Sequence, residues 1–208
     1  MTDTTNMDKK TRKRAVSFQE LLNTKFICFN FEGAWLDSFG KPESGSSWII
    51  WGKSGNGKTY FALQLAKYFA SLGERVLYNS HEQGISESMK RAYQIIDMKS
   101  VERNLLLLDK EPMDELIDRL RKPKSHNIIF IDSLQHAEVT YAMYKRLKKM
   151  FRKKTFIYIS HADGTKPAEK AAGAIRFAVD IKVWVEGYKA FPVSRYGGGE
   201  PFVVWDKE

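Results

Sequence analysis

From Phe26 onward, short apolar runs alternate with segments whose apolar residues recur at helical spacing. The runs SWIIW (47–51), RVLYNS (75–80), NIIFID (127–132) and TFIYIS (155–160) are continuous rather than alternating. That is the pattern of strands covered on both faces, as in a parallel sheet. Between them, helices are expected at 58–71, 86–97, 112–122 and 138–152, with NLLLLD (104–109) as a further candidate strand. Such alternation predicts a doubly wound α/β domain. The pieces DIKVWVEG, KAFPVSR and PFVVWDK near the end are strand-like with tight glycine-containing joints. They predict an antiparallel extension of the sheet. In the 138–152 helix, Tyr144, Leu147 and Phe151 share one face and are expected in the core.

Between the first strand and the first long helix stands GKSGNGKT (52–59), a full match to G-x-x-x-x-G-K-[ST]. Glycines let backbone N–H groups turn inward as an anion nest, and the following helix points its N-terminal dipole at the anion. Strand, loop and helix occur here in the order a phosphate grip needs. ATP is therefore expected along Gly52, Lys53, Ser54, Gly55, Asn56, Gly57, Lys58, Thr59 and Tyr60, with Lys58 reaching the β- and γ-phosphates and the Thr59 hydroxyl on Mg²⁺. Asp132 ends the run NIIFID and is the second expected Mg²⁺ partner. Glu82 follows the second strand, in VLYNSHEQG, and is the candidate base that polarises the attacking water.

Ser133, not glutamate, follows Asp132, which argues against the AAA+ arrangement, and no N-K-x-D specifies a guanine base. A lid-like arginine-rich segment, as in a small-molecule kinase, is not evident. The order of motifs resembles the RecA-like ATPases, including RecA, RadA and the DnaB-type helicases. The resemblance covers roughly residues 45–205 and rests on the P-loop, on Glu82 placed 24 positions after Lys58, and on AAGAIRFAVDIKVWV (171–185) and FPVSRYG (191–197). It implies a RecA-like P-loop fold, ATP hydrolysis with Mg²⁺, and a homo-oligomer, ring or filament, in which Arg195 completes a neighbour's site. The family's paired basic fingers lie two apart; here Arg195 keeps one and Val193 occupies the other. His161, at the end of TFIYIS, takes the place of the residue that senses the γ-phosphate. HADGTKPAEKAAG (161–173) takes the place of the second DNA loop, a small flexible segment in which Lys166 and Lys170 would meet phosphates. The short build looks like the compact RecA-like ATPases of phages and mobile elements.

Composition adds a partner and a compartment. The net charge of +9 suggests a polyanion, and with the resemblance points to DNA, single-stranded and bound without sequence preference, in recombination, repair or replication. A KaiC-like switch that controls a protein partner without DNA is the alternative. Residues 1–24, which carry KKTRKR at 9–14, are expected as a basic flexible tail before an ATPase domain at 25–208. No apolar stretch approaches the roughly 20 residues that span a bilayer. The single cysteine, Cys28, fits a reducing, cytoplasmic setting, and its apolar neighbours in FICFNF predict a buried, inert thiol. His81, His126 and His136 show no metal-ligand spacing and are expected to be structural or exposed.

Overall fold

A computed structural model describes residues 15–206. The basic KKTRKR stretch at 9–14 lies outside the described residues. The elements are α1 (Phe18–Leu22), α2 (Gly33–Phe39), β1 (Ser47–Gly52), α3 (Lys58–Ser71), β2 (Val76–Ser80), α4 (Glu87–Ile95), β3 (Leu105–Asp109), α5 (Met113–Arg121), β4 (Ile128–Asp132), α6 (Tyr141–Met150), β5 (Thr155–Asp163), β6 (Lys166–Pro167), α7 (Lys170–Ala178), β7 (Ile181–Glu186), β8 (Lys189–Ser194) and β9 (Phe202–Val203). The sheet runs β3-β2-β4-β5-β1-β7-β8-β9, with β6 paired to the end of β5. Strands β3 through β7 in that order are parallel, and β8 and β9 add antiparallel to the edge. The expected mostly parallel twisted sheet with helices on it and an antiparallel C-terminal extension is therefore the observed RecA-like α/β architecture.

Each continuous apolar run feeds two cores because successive side chains leave a strand on opposite faces. Trp48 and Ile50 of β1, with Tyr78, Phe130 and Ile157, pack against α3 and the aromatic group Phe29, Phe31 and Phe39. Ile49 and Trp51, with Leu77, Ile131 and Tyr158, pack against α5, α6 and α7. Tyr144, Leu147 and Phe151 lie in this second core, as their spacing predicts.

Three local expectations are corrected. Cys28 is exposed, not buried. Its segment is extended and bridges to Glu43, so Phe29 and Phe31 turn inward while Cys28 faces out. The 138–152 helix starts only at Tyr141, where the Thr140 hydroxyl accepts from the Met143 amide. Before it, the chain folds back so that the Leu134 amide donates to the Ile159 carbonyl, which ties this turn to β5. The 161–173 segment is not a flexible loop. It is a β5–β6 hairpin followed by α7, with Asp163 opposite Lys166 and Gly164 at φ +59 in the two-residue turn. Glycine at the first central position suits such a turn. The Trp51 indole N–H donates to the Thr165 carbonyl at 3.0 Å and pins the tip.

Candidate nucleotide-binding site

The parallel strands all point their carboxyl ends to one edge of the sheet, the edge where ligands of open α/β folds bind. Gly52 ends β1 there, opposite His161 of β5, and Asp132 ends β4, opposite Ser80 of β2. A Cβ on Gly52 would lie 2.1 Å from the Val185 carbonyl oxygen, so only glycine lets the chain leave the strand at that point. Gly57 starts α3 at φ +93, in the left-handed region that glycine adopts without cost. Asn56 braces the loop against the β7–β8 turn: its Oδ1 accepts from the Gly187 amide at 3.0 Å, and its carbonyl accepts from the Tyr188 amide at 3.3 Å. Lys58 is buried at the first position of α3, and its ammonium donates to the Lys53 carbonyl at 3.0 Å across the mouth of the loop. Burial lowers its pKa, against the opposing pull of Glu82 and Asp132.

Asp132 is 2% exposed and accepts a 2.7 Å hydrogen bond from the Tyr78 hydroxyl. Burial pushes its carboxyl up to about 6; the Tyr78 donor works in the opposite direction, and the nearby Glu82 charge adds to the rise. A cation beside this carboxylate would offset the desolvation that raises it. The Asp132 carbonyl accepts from the amides of both His81 and Glu82, the latter at 2.9 Å. Pairing of β2 with β4 thus carries Glu82 to the carboxylate pole of the site. Ser54, Gly55, Gly57, Lys58, Thr59, Tyr60, Glu82, Arg91 and Tyr188 line one cleft of about 500 Å³. Its basic loop and helix N-terminus on one side and carboxylates on the other fit a nucleotide phosphate chain with Mg²⁺.

No family model matches the chain. Over 104 residues it is 32% identical to the DNA repair and recombination protein RadB of Methanosphaera stadtmanae, covering 46% of this chain and 44% of that protein. Over 160 residues it is 28% identical to the DNA repair protein RadA of Campylobacter jejuni, covering 69% of this chain and 34% of that protein. The chain thus spans less than half the length of these curated relatives. Among solved structures, it resembles the KaiC-like protein PH0186 of Pyrococcus horikoshii OT3 with a TM-score of 0.61 at 17% identity, covering 85% of this chain and 93% of that one. The flagellar accessory protein FlaH of Methanocaldococcus jannaschii gives 0.60 at 19% identity, covering 86% and 97%. The ATPase domain of G40P gives 0.58 at 18% identity, covering 76% and 80%. The chain thus shares the RecA-like α/β fold of these structures and is similar over part of its length to RadB and RadA.

Within that fold, the remaining candidates fall in three places. His161 stands beside the base candidate, with Nε2 3.5 Å from Glu82 Oε2. Its amide donates to Gln135 Oε1, and Gln135 Nε2 in turn donates to Ser160 Oγ at 2.9 Å and to the Ala168 carbonyl at 3.2 Å. Lys166 and Lys170 are exposed, one on β6 and one at the start of α7. Arg195 lies at the opposite end of the sheet. Ser194 pairs with Ile181, which pairs with Trp48 at the start of β1. Four residues of strand, about 13 Å, separate that level from Gly52. Arg195 is 63% exposed and reaches Asp180 of its own chain at 3.4 Å. The strand register thus leaves Arg195 remote from the cleft of its own chain.

Several residues at the site escape the sequence reading. Tyr78 is one more apolar-run residue until β2 and β4 pair. Arg91 and Tyr188 reach the cleft from α4 and a hairpin turn, and neither carries a spacing signal. His136 is the fourth: it is exposed, one of the two settings expected for it, and with Glu82 and His161 it offers ligand atoms that lie within 4.8 Å of one another. His81 and His126 remain apart from this group among the described residues, and burial lowers the pKa of both.

Proposed function

We propose that this chain is a Mg²⁺-dependent ATPase that binds DNA and acts as an oligomer in recombination, repair or replication. The observation that carries the reading is that Lys58, Thr59 and Glu82 line one cleft at the carboxyl edge of the sheet, with the buried Asp132 tied to Glu82 through the backbone. Lys58 leaves the Lys53 carbonyl for the β- and γ-phosphates, and the α3 amides orient them. Thr59 and Asp132 would hold Mg²⁺, which when bound spreads and neutralises phosphate charge. Glu82 holds and orients the attacking water and takes its proton. His161 reports the state of the γ-phosphate: Gln135 links its backbone to the 161–168 hairpin, which carries Lys166. Arg195 of one subunit serves the cleft of the next.

DNA binding rests on the net charge of +9, on the lysine-bearing hairpin tied to the site, and on relatives named for DNA repair and recombination. Lys166→Ala with Lys170→Ala is expected to leave basal ATP hydrolysis unchanged. It should weaken DNA binding and reduce the dependence of log affinity on log salt by about one for each lysine. Fluorescence anisotropy with a single-stranded oligonucleotide across salt concentrations measures both. A second reading is a nucleotide switch of the KaiC kind acting on a protein partner; the pinned two-residue hairpin tip, in place of a long loop, favours it. Wild-type protein with no DNA affinity at low salt would decide for the switch.

The subunit boundary has its own test. Arg195→Ala and Lys58→Ala are each expected to be inactive, and mixing them should restore part of the rate. Mixed interfaces can unite an intact P-loop with an intact finger, and a finger contributes about 10³–10⁵-fold. Absence of recovery after co-refolding or subunit exchange would remove Arg195 from the reaction.

A further inference from the structure

We propose that Glu82, His136 and His161 form a binding site for a divalent cation of the Zn²⁺ class, distinct from the Mg²⁺ position, and that occupancy of this site stops ATP hydrolysis. Glu82 and His136 come from the loops after β2 and β4 and His161 from the end of β5, and their ligand atoms lie within 4.8 Å of one another. With Zn–N and Zn–O bonds of about 2.0–2.2 Å, a tetrahedral site needs ligand atoms about 3.3–3.5 Å apart. Glu82 Oε2 and His161 Nε2 are 3.5 Å apart, which is that spacing. His136 has to close the rest of the distance, and its exposed ring already stands with its centroid 5.6 Å from that of His161.

One of the two imidazoles already has a partner on its other ring nitrogen. Ser133 Oγ lies 2.8 Å from His136 Nδ1. With Nδ1–H donating to that buried hydroxyl, the Nε2 lone pair faces outward, the tautomer a metal ligand requires. The His161 backbone is held by Gln135. Two imidazoles and one carboxylate select Zn²⁺ and similar borderline cations over Mg²⁺, which prefers oxygen and octahedral geometry. Thr59 and Asp132 offer oxygen only, so the two cations divide by donor chemistry. A bound Zn²⁺ would hold the Glu82 carboxylate that otherwise takes the water's proton, while the P-loop is untouched. Nucleotide binding should persist and turnover should fall. The inhibition rests on the ATPase reading above; the binding does not.

The experiment uses the full chain in a Cys28→Ser background, which removes the single thiol as a competing ligand. Zn²⁺ alone is titrated by calorimetry, and Co²⁺ alone by its visible d–d absorption, without nucleotide. One cation per chain is expected, released by EDTA. His136→Ala and His161→Asn should each weaken it about 100-fold or more, since loss of a ligand exceeds the 10–100-fold of losing a ligand's own partner. ATPase rate in Mg²⁺ is then followed against buffered free Zn²⁺: the parent should lose activity with ATP affinity retained, and His136→Ala should keep its basal rate and resist. Equal Zn²⁺ affinity in parent and His136→Ala overturns the site. Equal inhibition of both overturns the regulation. A parent inactive in Mg²⁺ without Zn²⁺ overturns the ATPase reading and with it the regulation, while the Co²⁺ spectrum still decides the site.

Discussion

Lys58→Ala is expected to lower ATP turnover at least about 10³-fold, with nucleotide affinity reduced as well. The ammonium is the buried cation of the P-loop, and its reach covers the loop mouth, where it donates to the Lys53 carbonyl at 3.0 Å. Loss of a charge aimed at developing phosphate charge typically removes several powers of ten in rate, because the interaction acts in a site from which water is largely excluded. Stability should not fall with it. Burial already disfavours the charged form of Lys58, so alanine removes a desolvated ammonium, and the exposed loop lets water take the Lys53 carbonyl. Phosphate release and thermal melting without nucleotide, measured on one preparation, separate these effects. Turnover equal to wild type would dismiss the P-loop assignment; a collapsed melting temperature would show that Lys58 holds the loop rather than the nucleotide.

The sheet is legible in the sequence because each buried strand must serve two cores, and only a continuous apolar run does so. Trp48, Ile49, Ile50 and Trp51 alternate between the two clusters, and such a run has few other readings beside a glycine-rich loop. The phosphate loop is equally legible, since Gly52 and Gly57 are demanded by a close carbonyl and a positive φ. What escapes depends on pairings between distant segments. Tyr78 becomes a partner of Asp132 only when β2 and β4 align. His136 meets Glu82 and His161 only when two loops and the end of β5 share one edge, and ligand spacing along the chain carries no trace of it. Cys28 is misjudged because six apolar-rich residues read as buried on both faces, whereas this segment is extended at the margin and hides only Phe29 and Phe31. The hairpin turns on Gly164 and Thr165 between the paired Asp163 and Lys166, a two-residue signal set among small and polar residues that also suit a loop.

Glu82→Gln is expected to keep ATP binding and to slow hydrolysis about 10²–10⁴-fold, the range for loss of a general base. The substitution preserves size and the backbone bond from the residue 82 amide to the Asp132 carbonyl, so the side chain keeps its place. A glutamine amide has a donor face and a weakly basic oxygen; it can orient water but cannot take its proton. It also removes a negative charge near Asp132, whose carboxyl that charge helps to raise. Asp132 should therefore titrate lower in the variant, which favours its ionised, cation-holding form at neutral pH. Nucleotide affinity in Mg²⁺ is then expected to be equal to wild type or tighter while turnover falls, a split that a general loss of structure cannot produce. Equilibrium binding of a fluorescent ATP analogue beside single-turnover hydrolysis measures the two sides. If hydrolysis proceeds at the wild-type rate, the base lies elsewhere; if binding and hydrolysis fall together, Glu82 holds the site's structure and is not its base.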